Sequence, residues 1–509
     1  MTQKLFCVLL LAAFSLPAAI SREFSTPHAP GAGLAYSVDS TGDGALVGSV
    51  NFCDDGTGHC TLRAAIQAAN GHAGTDGIFF DLPPGAVINL TQALPDMTQS
   101  VSIVGPGPNL LTVRRSTSAN YRIFNVASGT VSISGITITN GSAITRGGGI
   151  NNSGGTVNVT NCIFLNNVAH DGGAMNTDGG TLNITNCTFR GNDVIGNGGG
   201  IAINFSGHVN VMNSTFGGNI AGDGDPNADG GGAICNGSSN FAGSGILKVT
   251  NSTFVANSAF TGGAISTLMA GEVYVTNSTF SGNFVGFSNQ GGAIASDSTG
   301  PVNVKSSILA GSTGGVNFPN RSDVSGIFNS AGYNLVSKSD NSTGFTQATD
   351  EVGTIASPLD PKLDPAGLQN NGGPTQTIAL QPGSPALDKG TSSGLNGNLT
   401  TDQRGSPFSR TTNYTNIAEA SGGDGTDIGA FEGTALKITA ITRLTNGHIL
   451  LHGIGVPGAP HTIEHSPDPG SNTFTAFPTA TAADGTGALQ YDDDTAVGLA
   501  KQFYRLRFP

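Results

Sequence analysis

Two short phrases recur together along this chain and limit its fold more than any other feature. Gly-Gly-Ala-Ile stands at Gly231–Ile234, Gly262–Ile265 and Gly291–Ile294, with looser forms at Gly147–Ile150, Gly172–Met175 and Gly198–Ile201. Phe followed three residues later by Asn runs through Phe164/Asn167, Phe189/Asn192, Phe216/Asn219, Phe254/Asn257 and Phe280/Asn283. Aligned on Asn-x-x-Phe, the blocks fall at Asn161, Asn186, Asn213, Asn251 and Asn277, which are 25, 27, 38 and 26 residues apart. A repeat of this length is the signature of a stacked architecture.

Each block opens on an alternating run: Val157-Asn158-Val159, Leu182-Asn183-Ile184, Val209-Asn210-Val211, Leu247-Lys248-Val249 or Val273-Tyr274-Val275. Period-two alternation reads as a strand with one buried face. One such strand cannot bury its apolar edge alone, so successive blocks must stack at strand spacing, about 4.8 Å. The expected architecture is all-β, a right-handed parallel β-helix over residues 86–345. Val, Leu and Ile should fill its interior, and glycines should serve turns where a Cβ would clash. Asn161, Asn186, Asn213, Asn251 and Asn277 are expected to align along one edge as a hydrogen-bonded amide ladder.

Composition agrees with a solenoid. Gly is 77 of 509 residues and charged residues are 11%, against about 25% in an ordinary globular chain. The repeated Val, Ile and Phe positions separate this chain from a disordered Gly-rich one. A net charge of -13 argues against nucleic acid as a partner, since nothing basic would neutralise phosphates.

Residues 1–21 read as a signal peptide, with Lys4 ahead of the apolar run Leu5 to Leu16 and small residues at Ala18, Ala19 and Ser21. Cys7 lies inside that run without a lipoprotein box, and no transmembrane segment is expected in the mature chain. Export permits disulfides. Cys53 and Cys60 enclose a short Asp-, Gly- and His-containing loop that a bridge could close, with a zinc site using His59 as the rival. Cys162 and Cys187 hold one position in adjacent blocks, as a bridge or as stacked thiols, and Cys235 is left unpaired.

Thr61 to Asn70 reads as a short helix, N-capped by Thr61, with Leu62, Ile66 and Ala69 on one face. It would cover the open first coil of the solenoid. Cys60-Thr61-Leu62-Arg63-Ala64-Ala65 resembles the N-terminal cap motif of bacterial exported β-helical proteins named for Cys-Ser-Leu-Arg-Glu-Ala, with Ala64 where the motif has Glu. The cap region is placed at 22–85.

The joint Gly-Gly-Ala-Ile and Phe-x-x-Asn phrases resemble the repeats of chlamydial polymorphic outer-membrane proteins, which are autotransported adhesins, over about residues 147–300. Asn371–Thr375, Gly383–Asp388, Asp402–Gly405 and Asp427–Glu432 together resemble the choice-of-anchor Q region of bacterial surface proteins. That resemblance implies surface display and a helix-end module at 346–433, and no reaction. Residues 434–509 alternate short apolar runs with turns, as in a small β-sandwich, and resemble the terminal sandwich modules of exported proteins that close on Phe-Tyr-Arg-Leu.

Chemistry is thin on the central coils. Polysaccharide enzymes use this fold, and a lyase needs a base beside carboxylates. Between Gly147 and Gly300 the cationic side chains are Arg190 and Lys248 alone. Asn176-Thr177-Asp178 mimics one polygalacturonase motif without its companions, so Asp178 reads as a solvated turn residue. His170 and His208 read as surface residues. No catalytic residue is assigned, and enzyme activity on uronate-containing polymers stays as the alternative.

Calcium is the one cofactor with a candidate loop. Asp223, Asp225, Asn227 and Asp229 match the first half of an oxygen-rich calcium loop, but the closing Glu is replaced by Asn236. Asp39/Asp43 and Asp492-Asp493-Asp494 are weaker acidic candidates. Sequons at Asn186, Asn213, Asn251 and Asn277 are explained by the repeat without sugar. The expected function is a secreted or cell-surface, adhesin-like protein whose solenoid face binds an extracellular polysaccharide or a ligand on a host or neighbouring cell. A structural spacer is the third possibility, and the absence of Trp weighs against an aromatic sugar groove.

Overall fold

The computed structural model describes residues 33–507 except 223–229, 238–244, 287–289, 297–299, 301, 315–319, 414–416, 434–436, 456–459, 469–473, 478–480, 483–487 and 500. The signal segment and the calcium loop of Asp223, Asp225, Asn227 and Asp229 lie outside the described residues. The chain is all-β, 3% helical, with a parallel β-solenoid of about nine turns followed by antiparallel sheets.

One coil shows how the repeat is laid out. Thr181–Thr185 lies in a first sheet, Thr188–Arg190 in a second, Asp193–Val194 in a narrow strip and Ile201–Asn204 in a third sheet. Equivalent residues pair in strict parallel register: Val157, Leu182, Val209, Leu247, Val273 and Val302 follow one another up the first sheet, all fully buried. The Phe of each block does the same in the second sheet. Phe164, Phe189, Phe216, Phe254 and Phe280 stack with ring centroids 4.4 to 4.7 Å apart and planes within 4°. Strand spacing imposes that distance, and it also suits offset aromatic stacking.

Glycine serves the turn into the third sheet. Gly262 has φ 58°, and a Cβ there would come within 2.2 Å of the Ile265 carbonyl oxygen, so no other residue fits.

The five aligned asparagines share one corner, between the first and second sheets, where each takes a left-handed φ of 45° to 55°. Asn tolerates that conformation better than most residues. The amide ladder expected at this corner runs elsewhere, through the Asn of Phe-x-x-Asn. Asn167, Asn192, Asn219 and Asn257 each donate Nδ2 to Oδ1 of the next coil's Asn, ending at Asn283, over 2.8 to 3.0 Å. Corner asparagines cannot do this. Their bent backbone turns the amide away from the stack, and Oδ1 of Asn186, Asn213, Asn251 and Asn277 meets no hydrogen-bond donor.

Parallel pairing starts earlier than the repeat, with Ala35–Val38 on Asp76–Phe80, and ends with Glu351–Val352 on Leu335–Val336. These end strands carry neither recurring phrase, so their membership was invisible in the repeat. Between the first two strands, the helix Leu62–Gly71 covers the solenoid mouth, capped where the Thr61 hydroxyl accepts from Ala64 N at 3.1 Å. Cys53 and Cys60 form a disulfide, while Cys162, Cys187 and Cys235 are buried thiols. Arg63 makes the cap's ion pair. Its guanidinium meets Asp43 at 2.7 and 2.9 Å, and the other Asp43 oxygen accepts from Thr91 N and Oγ1 at 2.7 Å. Asp43 is thus a cap anchor rather than a metal ligand.

After Val352 the chain stops adding parallel strands. Residues 354–433 double back along the outside of the second sheet as a strap. Beyond it, Lys437–Arg443, Ile449–Ile454 and Ala488–Asp493 form one antiparallel sheet, and Pro460–Ser466 pairs with Phe503–Arg507 and two short strands. Leu451, Ile463, Phe477 and Leu489 make the core of this small sandwich.

Candidate binding faces of the solenoid

The strap decides which outer surfaces stay open. Thr375 Oγ1 donates to Asn213 O at 3.0 Å, and Gln403 bridges Thr215 Oγ1 and Thr253 Oγ1 at 2.8 and 2.6 Å. Ala430 N donates to Thr279 Oγ1, and Gly429 N to Ser306 O. The corner amides of Asn251 and Asn277 donate to Thr401 O and Thr391 O of the strap, which buries both residues. Neither could carry a glycan. Ala386 and Ile428 pack against Ile308, Ala310 and Leu335. The second sheet is therefore covered from about Thr215 onward and bare over the coils before it.

The four choice-of-anchor-like motifs converge inside the strap on one buried charged cluster. Arg404 donates to Asp402 Oδ2 at 2.6 and 2.9 Å and to the carbonyls of Asn371 and Glu432. Its guanidinium lies 3.8 Å from the Phe408 ring centre and 4.0 Å from that of Phe431. Asp427 accepts from Asp388 N and Gly433 N, and Glu432 accepts from Asp427 N and Thr412 N. Arg410 is fully buried beside Glu432 and bonds the Gly429 carbonyl. All six charged groups are under 5% exposed, so the cluster is a clasp and not a reaction centre.

That burial has a pH consequence. Desolvation pushes the Asp427 carboxyl up to about 7 and raises Glu432 well above its usual range, with Asp427 adding repulsion. In the unfolded chain both carboxyls titrate near about 4. The folded state thus holds protons that the unfolded state releases, so the stabilisation is complete below about pH 4 and lost as pH rises through about 7. The thermal unfolding midpoint should fall by at least about 1 °C between slightly acid and slightly alkaline pH, the shift that one kcal/mol makes at about 2.1 cal/mol/K per residue over the roughly 400 residues of solenoid and strap. Asp427→Asn should flatten that profile. A midpoint that rises over the same interval would contradict the assignment.

The third sheet has its own outward amide row, with Asn151 on Asn125 and Asn176 on Asn151 at 3.0 and 2.9 Å, and Asn204, in register with Asp178, reaches diagonally to Asn176 at 2.8 Å. Most of it is buried. Asp178, expected as a solvated turn residue, is ion-paired: both its oxygens lie 3.1 Å from Arg146, which also faces Asp171 at 3.9 Å. His170 Nδ1 is 3.2 Å from Asp171 Oδ1. Arg122 bonds Asn125, Thr145 and the Arg146 carbonyl, and burial lowers its pKa against the opposing pull of Asp96 and Asp178. Counting cations only from Gly147 missed Arg146 by one residue. His208 is exposed at the edge of the first sheet.

The first sheet's outer face is open along its middle row, while at one side the strap's Leu395 N donates to Thr276 Oγ1 at 3.2 Å and Thr250 and Thr276 are buried. Eleven strands, from Ala35–Val38 to Phe328–Ser330, span about 48 Å at ten steps of strand spacing. Its middle row holds Ser132, Asn158, Asn183, Asn210, Lys248, Tyr274, Asn303 and Asn329, and none of these is buried. Asn183 donates to Asn158 and Asn210 to Asn183 at 2.9 and 2.8 Å. From Gly77 through Met212 the outward positions carry no Asp, Glu, Lys or Arg. Hydroxyls and amides at a fixed pitch suit hydrogen bonding to a repeating partner.

Among the described residues, no helix is long and apolar enough to cross a membrane, and no cluster of three His, Cys, Asp or Glu side chains could hold a metal ion. Comparison of the chain with family models, curated proteins and solved structures finds no match.

Proposed function

We propose that this protein works outside the cell, secreted or at the bacterial surface, as an adhesin-like solenoid that binds an extended extracellular polysaccharide across its first sheet. The observation that carries this reading is the contrast among the faces: the strap covers much of the second, the third is largely buried, and the first is open along its middle row, uncharged over half its length and regular. The Cys53–Cys60 bridge fits an oxidising compartment, and Lys4 to Ser21 fit export. The strap's motifs support membership of the choice-of-anchor Q group by their sequence, and their role in the fold is to clasp the solenoid.

The test is binding of the full-length mature protein to the polysaccharide fraction of its own cell surface and to plant and algal polymers. Replacing Asn158 and Asn183 together by Asp puts two carboxylates about 4.8 Å apart on the face. Affinity should fall at least about tenfold, or about 1.4 kcal/mol, with unchanged circular dichroism. Ile220→Ser on the narrow strip and Ile195→Ser just past it, both exposed, should leave it unchanged. The opposite pattern would sink the proposal.

A second reading rests on Arg122 and Arg146 among Asp96, Asp171 and Asp178, the nearest approach to a polysaccharide lyase or hydrolase site. Against it, Asp178 is held by Arg146 on both oxygens, leaving no free acid–base pair. Assays of pectate and alginate with calcium should show no unsaturated product and no reducing-end release. Turnover abolished by Asp178→Asn would establish it.

A further inference from the structure

Several arginines of this chain face a carboxylate. Arg63, Arg146, Arg404 and Arg505 lie within 4.0 Å of Asp43, Asp178, Asp402 and Glu464. Arg114 and Arg115 do not. They end the second-sheet strand Leu111–Arg115, in the coils that the strap leaves bare. Arg114 donates through Nε to Asn89 Oδ1 at 2.6 Å, and both its terminal amino groups are unbonded among the described residues. Arg115 donates through Nε to Asn140 O at 2.7 Å and through one terminal group to the carbonyls of Thr117 and Ala119, which leaves the other group open.

Both arginines border a cavity of about 360 Å³ where three successive coils turn from the second sheet into the narrow strip. That volume falls within the usual range for small-ligand sites, about 300–1,000 Å³. No Asp or Glu lines it, in a chain whose net charge is -13. The remaining wall is chemically mixed. Asn140 and Asn166 hold left-handed φ of 58° and 52°, the Asn166 amide is exposed, and Val168 presents an apolar patch that is 43% exposed. Two guanidinium groups with free N–H, an amide and a small apolar contact together suit an oxyanion carried on a sugar ring. A guanidinium fork matches a carboxylate or sulfate through paired hydrogen bonds.

We infer that this corner is a binding site for the anionic group of an acidic polysaccharide, a uronate carboxylate or a sulfate ester. Arg190 extends it. It stands on the same outward row as Arg114, three strands further up, through Thr139 and Leu165. It is exposed, and its side chain makes no bond among the described residues. Three steps of strand spacing separate the two, about 14 Å, so one chain bearing repeated anions can meet both. The site is distinct from the first-sheet face, and either can fail without the other.

The experiment compares binding of polygalacturonate, dextran sulfate and uncharged dextran to the full-length protein at low ionic strength, where such pairs are least screened. Wild type should bind one or both anionic polymers and show no cavity-dependent binding of dextran. The tighter of the two anionic polymers identifies the anion. Arg114→Gln should weaken anionic binding at least about tenfold, with a further loss when combined with Arg190→Gln. Gln can still reach Asn89, so the fold should be unaffected. If Arg114→Gln nevertheless unfolds, Asn166→Asp tests the same point by placing a carboxylate on the rim. Lys501→Gln, which removes an exposed charge in the terminal sandwich, should change nothing. Anionic binding that is absent, or that survives both rim variants, or that Lys501→Gln weakens equally, overturns the assignment. The Asn158/Asn183 double variant should retain this anion-dependent component, which separates it from the first-sheet reading.

Discussion

Phe216→Ala is expected to destabilise the solenoid by about 3–5 kcal/mol, the cost of deleting a fully buried aromatic side chain. Phe216 has no exposed surface and stacks on Phe189 at 4.4 Å and Phe254 at 4.7 Å. Truncation therefore opens a cavity between two rings whose backbones are pinned by parallel pairing to both neighbours. The coil cannot collapse to fill it, because strand spacing is fixed by the ladder of backbone bonds. Each coil touches mainly its neighbours, so the loss should concentrate in adjacent coils. Denaturant unfolding with hydrogen exchange at Phe189 and Phe254 would show it. A change below about 1 kcal/mol would mean that this stack does not hold the coils together.

Arg404→Ala should have an effect of similar size by a different route. Asp402 is fully buried, and its carboxylate is balanced by the Arg404 guanidinium, itself sandwiched between Phe408 and Phe431. Removing Arg404 leaves a buried charge uncompensated, which costs about 3–5 kcal/mol. The damage should be confined to the strap, since Arg404 contacts no solenoid residue in its hydrogen bonds. Proteolysis within 354–433 should rise while the coils from Thr137 to Arg190 keep their protection. Uniform loss of protection along the whole chain would contradict the strap as a separate clasp.

The repeat carried the solenoid because every coil restates the same local problem: an alternating run, a left-handed corner, a buried Phe and a Gly-Gly turn. Position in the phrase placed Asn161 to Asn277 correctly in register. It could not say which Asn of each block makes the ladder, since Asn161 and Asn167 have the same side chain and differ in backbone conformation. The strap was recognisable only as motifs. Its partners lie far off in sequence, as with Gln403 and Thr215, 188 residues apart, and no local pattern encodes such a contact. Arg63 and Arg146 were missed as ion-pair partners for the same reason, with Asp43 and Asp178 lying 20 and 32 positions away. The open face was half legible: alternation identified its outward residues, but only the strap's course shows which sheet stays uncovered.

Bound polysaccharide is expected to lie along the first sheet. Single cysteines at Asn158, Asn183 or Asn210, compared with one at Ile195 just past the narrow strip, can be labelled with a maleimide in the presence and absence of bound polysaccharide, because Cys162, Cys187 and Cys235 are buried. Burial also pushes the Cys162 thiol up to about 12, out of reach of the reagent. Protection is expected at the three first-sheet positions and none at Ile195. Protection at Ile195 with free labelling at Asn158, Asn183 and Asn210 would contradict it.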